Sequence, residues 1–411
     1  MSKSLSFAVI GCGSRGRTYM RIARGLGHSI VAISDTSEAA LTAMKEIAKD
    51  NVPQVFASGE ELLATGKRLA DVALVSTQDA QHFGHASAAL RLGYDVLLEK
   101  PAAQSSEECE ELASIAKENG CKLILCFVLR YTPFYRSIKG AIDAGKIGEV
   151  ITIQASEGVG PFHNVHSYVR GKWSKTAEST PMIIAKCSHD TDLLAWIAGS
   201  RAVSVTSHED TLHFRPDKAP EGATDRCTDG CPHVGKCSYD AHRYLTDQRN
   251  WVRHVRPDSN EMDDAAVLEW IKTSKWGRCA YRCDHDTPDH QVVGMHFENG
   301  ITADLTMTAF DTGRWIRVYG TEGVLEGLSE RGGGGGAPSI RIRTHNGAAI
   351  DIPVQEQDTG DYHGHGGGDF GLIQALPGLL AEDSQDFIEG HRIGFAAALA
   401  AKESRVVSMD R

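Results

Sequence analysis

The sequence predicts an α/β protein whose first part is a doubly wound parallel sheet and whose remainder carries a second, antiparallel set of strands. Three observations carry this. Apolar strand-type runs alternate with helical patterns over residues 1–130, the first run breaks into a glycine turn before a helix, and three runs of strand type follow one another between residues 291 and 320. A chain of 411 residues exceeds what one compact core usually holds, so two domains are expected, 1–130 and 131–411.

Totals narrow the function classes. Lys plus Arg is 43 against 54 Asp plus Glu, a net charge of −11, which offers no electrostatic footprint for nucleic acid or an anionic membrane. No run of about 18 apolar residues marks a spanning helix. Ser4 to Ile10 leads into a strand without a basic segment, an apolar stretch and a cleavage site, so a cytoplasmic protein with small, soluble partners is expected. Ten cysteines in a chain this long do not make a disulfide scaffold, and reduced thiols are the default.

The first strand, Ser6 to Ile10, breaks into GCGSRG, where Gly11, Gly13 and Gly16 hold the G-x-G-x-x-G spacing before a helical stretch, Thr18 to Leu26. Glycines there permit a tight turn and close approach of a pyrophosphate, which would sit on free N–H groups of Ser14, Arg15 and Gly16 at the positive end of the helix dipole. The second strand, SIVAIS, ends at Asp35, where a carboxylate accepts hydrogen bonds from ribose hydroxyls and repels a 2′-phosphate. NAD is therefore favoured over NADP, with Arg15 or Arg17 as the residues able to reach a phosphate. A glycine turn with an acidic helix cap is the bland alternative. DVALVST (71–77), a helix near Phe83 to Leu92, DVLLEK (95–100), a helix from Ser106 to Glu118, and KLILCFV (122–128) continue the alternation. Ligands of such sheets bind beyond the carboxyl ends of the strands, where Ser76, Thr77, Glu99 and Lys100 fall. Pro101 restricts the backbone of Lys100 and ends the ladder, which aims the lysine at the crevice. Partly desolvated beside a cationic nicotinamide, this lysine is suited to exchange a proton with a substrate hydroxyl, with Glu99 offsetting its charge. A salt-bridged strand end is the alternative.

These residues, GCGSRG, Asp35, Ser76-Thr77 with His82, Glu99-Lys100-Pro101 and LRYTP (129–133), resemble the Gfo/Idh/MocA family of glucose-fructose oxidoreductase and inositol dehydrogenase relatives. The resemblance extends through SHDTDLLAWIAG (188–199) to GFAAALAAKESR (394–405), within an expected closing helix at 385–407. It implies a large, mostly antiparallel open sheet packing helices on one face and often a partner subunit on the other, hence a homodimer or homotetramer. It also implies sugar or polyol substrates, a cis Lys100-Pro101 bond, and proton transfer by Lys100. The family's helix histidine matches His189, with Asp192 following. Where many members carry an aspartate four residues before it, this chain has Ala185, with Lys186 beside it, so Lys100 and His189 both remain candidates for the base. Tyr131 and Lys186 join them as candidate catalytic residues.

Beyond the helix expected at 133–144, Val150 to Glu157 alternates as a half-buried strand. The loop GVGPFHNVHSYVRGKWSK (158–175) gathers His163, His166, Tyr168, Arg170, Lys172 and Trp173, a mixture suited to a sugar or, equally, to a solvated basic loop. Candidate substrate contacts are Arg130, Trp173, Lys186, Asp192 and His365, the last in DYHGHGGGDFG together with His363. QVVGMHFE, ITADLTMTAF and RWIRVYG supply the antiparallel strands, RGGGGGAP (331–338) a surface loop, and SIRIRTHNGAAIDIPV a hairpin at Asn346-Gly347. Residues 207–285 read as an irregular insertion holding Cys227, Cys231, Cys237, Cys279 and Cys283. A structural zinc on Cys227, Cys231, Cys237 and Cys283 would replace the core this segment lacks, and reduced thiols or a disulfide are the alternatives. The expected activity is NAD-dependent oxidation of a secondary hydroxyl, C3 by preference, of a sugar or glycoside. Redox-neutral glycoside cleavage through transient C3 oxidation, on an anionic sugar, and a non-catalytic dinucleotide sensor are the rivals.

Overall fold

The computed structural model describes residues 4–49, 51–256, 259, 261–329, 337–355, 357–360, 362, 364–382 and 387–409. Residues 331–336 of the expected surface loop, His363 and the expected start of the closing helix at 385–386 lie outside them. Six parallel strands form the first sheet: β1 (Ser6–Ile10), β2 (Ser29–Ser34), β3 (Gln54–Phe56), β4 (Val72–Val75), β5 (Asp95–Leu98) and β6 (Leu123–Leu125). Their order β3-β2-β1-β4-β5-β6 reverses between β1 and β4, the switch point where open α/β sheets bind ligands. Phe7, Val9, Ala73, Leu74, Leu97 and Leu98 are fully buried, as continuous apolar strands covered on both faces must be. β6 is shorter than the run KLILCFV suggests, because Val128–Tyr131 turns into a single 3-10 helix that leads into the helix Pro133–Asp143.

Nine strands form the second sheet: β7 (Val150–Val159), β8 (Ala202–Asp210), β9 (His290–Phe297), β10 (Thr302–Thr308), β11 (Thr312–Gly320), β12 (Gly323–Leu328), β13 (Ser339–Thr344), β14 (Ala349–Ile352) and β15 (Val407–Ser408). All neighbours are antiparallel except β7 and β10, so the expected architecture of a large, mostly antiparallel sheet holds. Ile153, Leu305, Met307, Ile316 and Val318 face the helices Ser188–Ala198 and Glu389–Glu403, whose Leu193, Leu194, Ile393 and Ala397 complete a second core. Each buried aliphatic side chain of that size contributes about 1.5–3 kcal/mol.

The chain then returns. The helix Gly368–Ala381 places Leu372, Ile373 and Leu376 in the core of the first sheet. It lies so close to the 128–131 turn that a Cβ on Gly368 would stand 2.3 Å from the Val128 carbonyl oxygen, and one on Gly371 2.4 Å from that of Tyr131.

Two sequence expectations change here. The insertion between β8 and β9 has its own apolar packing: Phe214, Tyr239, Ala280 and Tyr281 gather with Val165 and Val169, and Tyr244, Val252, Val267, Trp270 and Ile271 gather with Phe162. Among the described residues no group of three or more His, Cys, Asp or Glu stands where it could hold a metal, and Cys227, Cys231, Cys237, Cys279 and Cys283 are free thiols. The zinc expected on Cys227, Cys231, Cys237 and Cys283 is thus not supported, and aromatic packing does the work assigned to it. The second change concerns Arg130 and Asp192, expected as substrate contacts. They form a buried two-pronged pair, Arg130 Nε to Asp192 Oδ2 at 2.7 Å and Nη2 to Oδ1 at 2.5 Å, which ties the 128–131 turn to the helix Ser188–Ala198. Burial pushes the Asp192 carboxyl up to about 6 against the opposing pull of Arg130. Truncating Asp192→Ala removes the two-pronged contact between the 128–131 turn and the helix and is expected to cost about 3–5 kcal/mol in urea unfolding, whereas a loss below about 1 kcal/mol would show that the pair is not structural.

Candidate active site

The glycine turn closes as its spacing demands. Gly11 adopts φ +97°, and a Cβ there would stand 2.6 Å from the Ser76 carbonyl oxygen; at Gly16 it would stand 2.3 Å from that of Gly11. Gly13 is different: a Cβ would meet nothing within 4 Å, so open space lies before the turn. The helix Ser14–Gly25 begins behind it without a side-chain cap on its first N–H groups. Uncapped N–H groups facing open space make the anion-binding helix start that a pyrophosphate needs. Asp35 accepts from the Cys12 N–H at 2.7 Å and the Ser37 N–H at 2.8 Å, which leaves lone pairs for ribose hydroxyls. Arg15 is held away from the ribose by Glu99 at 2.6 Å and Asp369 at 2.7 Å, and Arg17 donates from one nitrogen to the Cys12 carbonyl at 3.3 Å. The turn and Asp35 therefore fit NAD, with Gly11, Gly13, Ser14, Gly16 and Asp35 as the residues that would hold it. Ser76 braces the turn by donating to the Gly11 carbonyl at 2.8 Å. His82 braces the next loop, its Nδ1 2.6 Å from the Pro101 carbonyl and its Nε2 3.2 Å from that of Thr77. Thr77 turns its hydroxyl toward His85.

Beyond β5 the chain presents Glu99 and Lys100, joined to Pro101 by a cis bond. Glu99 is buried and fully engaged: Oε1 takes Arg15 and the Tyr19 hydroxyl, at 2.8 Å, and Oε2 takes the Lys100 backbone N–H at 2.9 Å. Burial would raise the Glu99 carboxyl, and Arg15, Lys100 and the Tyr19 hydroxyl together outweigh it to hold the group below its ordinary value. The Lys100 ammonium donates to the Ala185 carbonyl at 3.0 Å. That carbonyl stands where the short helix Met182–Ala185 ends, among the oxygens a helix leaves without an internal partner. Burial pushes the pKa of Lys100 down, Glu99 and Asp79 pull it up, and Lys186 and Arg15 add to the fall, so the net shift is downward.

His189 is buried at the start of its helix, with a Nδ1 that has no hydrogen-bond partner among the described residues. Burial, then Lys100, His365, Arg314 and Lys186, hold its pKa well below the ordinary histidine value, so the imidazole is neutral. His365 stands across from it, ring centres 6.3 Å apart, anchored to Asp369 at 3.1 Å. Lys186 pairs with Glu157 at 2.7 Å. Trp173 donates to Asp79 at 3.0 Å and stacks on Tyr168 at 5.7 Å, which brings the 161–175 loop against the first domain. Lys100, Lys186, His189 and His365 are therefore brought together. Tyr131 is half-buried, with Arg130, Asp192, Cys126 and Glu382 as its electrostatic neighbours. Sequence reasoning missed Glu157, Arg314 and Asp190, although a signal existed. Glu157 follows Ile153 and Ala155 on the inward face of β7, and Arg314 precedes Ile316 and Val318 on that of β11.

Buried neutral histidines around the cleft also set a pH response. His391 accepts from the Ala102 N–H at 2.9 Å, and burial with the charges of Lys100 and His82 lowers it to about 3; burial, His254 and Arg170 lower His166 to about 3. Their folded pKa values are depressed, so the unfolded chain binds more protons below the ordinary value of about 6.5, and the stability they contribute is present above it and lost as pH falls. Each is expected to cost about 2 kcal/mol at pH 5 relative to neutrality, read from urea midpoints, and His391→Gln should flatten that dependence. An unchanged slope would contradict the neutral state of His391.

Comparison with known proteins agrees with this geometry. Residues 5–127 match the family model of an oxidoreductase family, NAD-binding Rossmann fold, and residues 139–402 match that family's C-terminal α/β domain. Inositol 2-dehydrogenase 1 of Saccharopolyspora erythraea is 29% identical over 203 residues, covering 49% of this chain and 56% of the relative. The matched part thus spans little more than half the length of such curated relatives. Among solved structures, an oxidoreductase from Agrobacterium radiobacter in complex with NAD+, L-tartaric acid and magnesium superposes with a TM-score of 0.68 at 15% identity, covering 99% of this chain and 98% of that one. A levoglucosan dehydrogenase in complex with NADH and levoglucosan does so with 0.68 at 16% identity, each chain covered in full. At such identities the superpositions speak for the fold. Because the two family models between them span both sheets, the chain belongs to the Gfo/Idh/MocA oxidoreductase family.

Proposed function

We propose that the protein is an NAD-dependent oxidoreductase that oxidises a secondary hydroxyl, at C3, of a sugar or glycoside. The observation that supports it most is the state of Lys100: an amine with a lowered pKa, at the carboxyl end of β5, with a backbone carbonyl as its hydrogen-bond partner. An amine in that setting gives up its proton more readily than an exposed lysine and takes one from a substrate hydroxyl. NAD held on the glycine turn would supply the hydride acceptor. Lys100 is the base rather than His189, because the low basicity of a buried imidazole among cations makes His189 the weaker proton acceptor. Neutral His189 orients the hydroxyl, while Lys186, His365 and the indole of Trp173 position the ring. Relatives named for inositol oxidation, and a structural neighbour complexed with levoglucosan, favour a polyol or sugar.

The charges in the cleft favour a neutral one. Lys186 is paired with Glu157, Arg314 with Glu157 and Asp190, and Arg15 with Glu99 and Asp369, so these cations already have counter-charges. Cleavage of an anionic glycoside draws less support from this arrangement than oxidation of a neutral sugar. The far face of the second sheet, where Val292 is 45% and Leu328 41% exposed, supports assembly into a homodimer or homotetramer.

Lys100→Ala is expected to lower kcat by about 10²–10⁴-fold on the best sugar of a neutral panel while NAD affinity stays within several-fold, both read from NADH absorbance and dinucleotide titration. Retained turnover would remove Lys100 from the chemistry. Net NADH formation from a chromogenic glycoside supports oxidation, and aglycone release without it supports redox-neutral cleavage. Light scattering should read two or four chain masses; a single mass would dispose of the assembly.

A further inference from the structure

Glu157 is a carboxylate on a face built for apolar side chains. Along β7 the inward positions run Ile153, Ala155, Glu157 and Val159, all buried, and Glu157 is 1% exposed. Its cross-strand neighbour in β11 is Arg314, another charged residue at an inward position. The two meet at 2.7 Å through Oε2, and Arg314 continues to Asp190 at 2.6 Å. Oε1 of Glu157 points the other way and takes the Lys186 ammonium at 2.7 Å.

Arg314 does not depend on Glu157 alone, since Asp190 engages its Nε and Nη2. Lys186 differs: among the described residues Glu157 is the one carboxylate paired with it. Lys186 caps the short helix Met182–Ala185, two residues before the helix that carries His189. A lysine there, on a flexible four-carbon stem, would otherwise spread over several rotamers and turn to solvent. Lys186 directly follows Ala185, whose carbonyl takes the Lys100 ammonium at 3.0 Å, so its charge stands beside the cleft, where it pushes down the pKa of Lys100 and His189.

We propose that Glu157 is a positioning residue: reaching in from the sheet, it holds the Lys186 ammonium at the cleft wall as a fixed donor to the substrate's hydroxyls, so that the carboxylate of this site comes from β7 while position 185 contributes only its carbonyl. The donor role rests on the sugar oxidation proposed above; the holding role does not. Glu157 itself touches no reacting atom.

Two measurements separate these. In the NAD-loaded enzyme, without sugar, acylation of Lys186 by an amine-reactive ester is followed by mass spectrometry; Glu157→Gln is expected to raise its rate at least about threefold, and Glu157→Asp, which keeps the charge on a shorter arm, to give an intermediate rate. Kinetics then form a double-mutant cycle with Lys186→Met. Glu157→Gln is expected to raise KM about tenfold with kcat within about threefold, and to change KM less than about twofold once Lys186 is Met. A merely structural carboxylate would give equal losses in both backgrounds, and that result overturns the proposal, as does an unchanged acylation rate. Should Glu157→Gln fail to fold, Glu157→Asp carries both measurements, its acylation rate and KM each moving in the same direction by a smaller factor. If no sugar is oxidised by the unaltered enzyme, the functional reading fails, while acylation still decides whether Glu157 holds Lys186.

Discussion

The saturation of Glu99 governs the site. A glutamate next to a lysine would ordinarily form its ion pair, and such a pair would keep the ammonium charged and remove it from proton exchange. Here Arg15 and the Tyr19 hydroxyl occupy one oxygen, and the lysine's own backbone N–H occupies the other. Lys100 is left with the Ala185 carbonyl, an acceptor that carries no net charge and so holds the ammonium proton less firmly than a carboxylate would. Arg15 reaches Glu99 because Asp369, from the returning helix, grips the far side of the guanidinium. A residue late in the chain thereby helps set the proton affinity of one near its start.

The two sheets meet through polar contacts of this kind. Lys100 bonds to Ala185, Asp79 to Trp173, and the Ala102 N–H to His391, each pair drawing one partner from either domain. Such contacts are worth about 0.5–1.5 kcal/mol apiece in net terms, too little to hold large domains together alone. The apolar side chains of the helix Gly368–Ala381, inserted into the first core, supply the larger attachment. Polar groups at the joint are free to serve recognition because packing elsewhere serves cohesion.

Much of the first domain was legible because its signals are local. A strand, a glycine spacing and an acidic residue at the next strand end prescribe one turn, and Gly11, Gly13 and Asp35 stand as that prescription requires. The helix at Ser106–Glu118 follows the predicted limits because Ser105 caps it and acidic residues fill its first turn. What escaped notice depends on distant pairing. Arg130 and Asp192 have the chemistry of sugar ligands, and only the approach of their two elements shows that they bind each other. The insertion looked too polar for a core because its apolar residues are aromatic and widely spaced, and Tyr239 and Tyr281 find Phe214 only after folding. β8 was missed since it pairs with β9 and β15, both far along the chain, and β12 since its GVLEGL holds two glycines that weaken a strand pattern.

The charge count around Lys100 gives the arrangement its direction. Arg15 and protonated Lys100 balance Glu99 and Asp369, Lys172 balances Asp79, and Lys186 and Arg314 balance Glu157 and Asp190. Loss of the Lys100 proton leaves the first group with one negative charge in excess, inside a site too desolvated for water to screen it well. A cationic ring in the crevice offsets that excess, and a neutral one does not. The same carboxylates that hold the arginine in place thus make proton loss easier when the oxidised form of a dinucleotide is present than when the reduced form is. An anionic substrate would add to the excess. A neutral polyol would leave the balance to the residues, and that is the electrostatic argument for the alcohol substrate we propose over an acid.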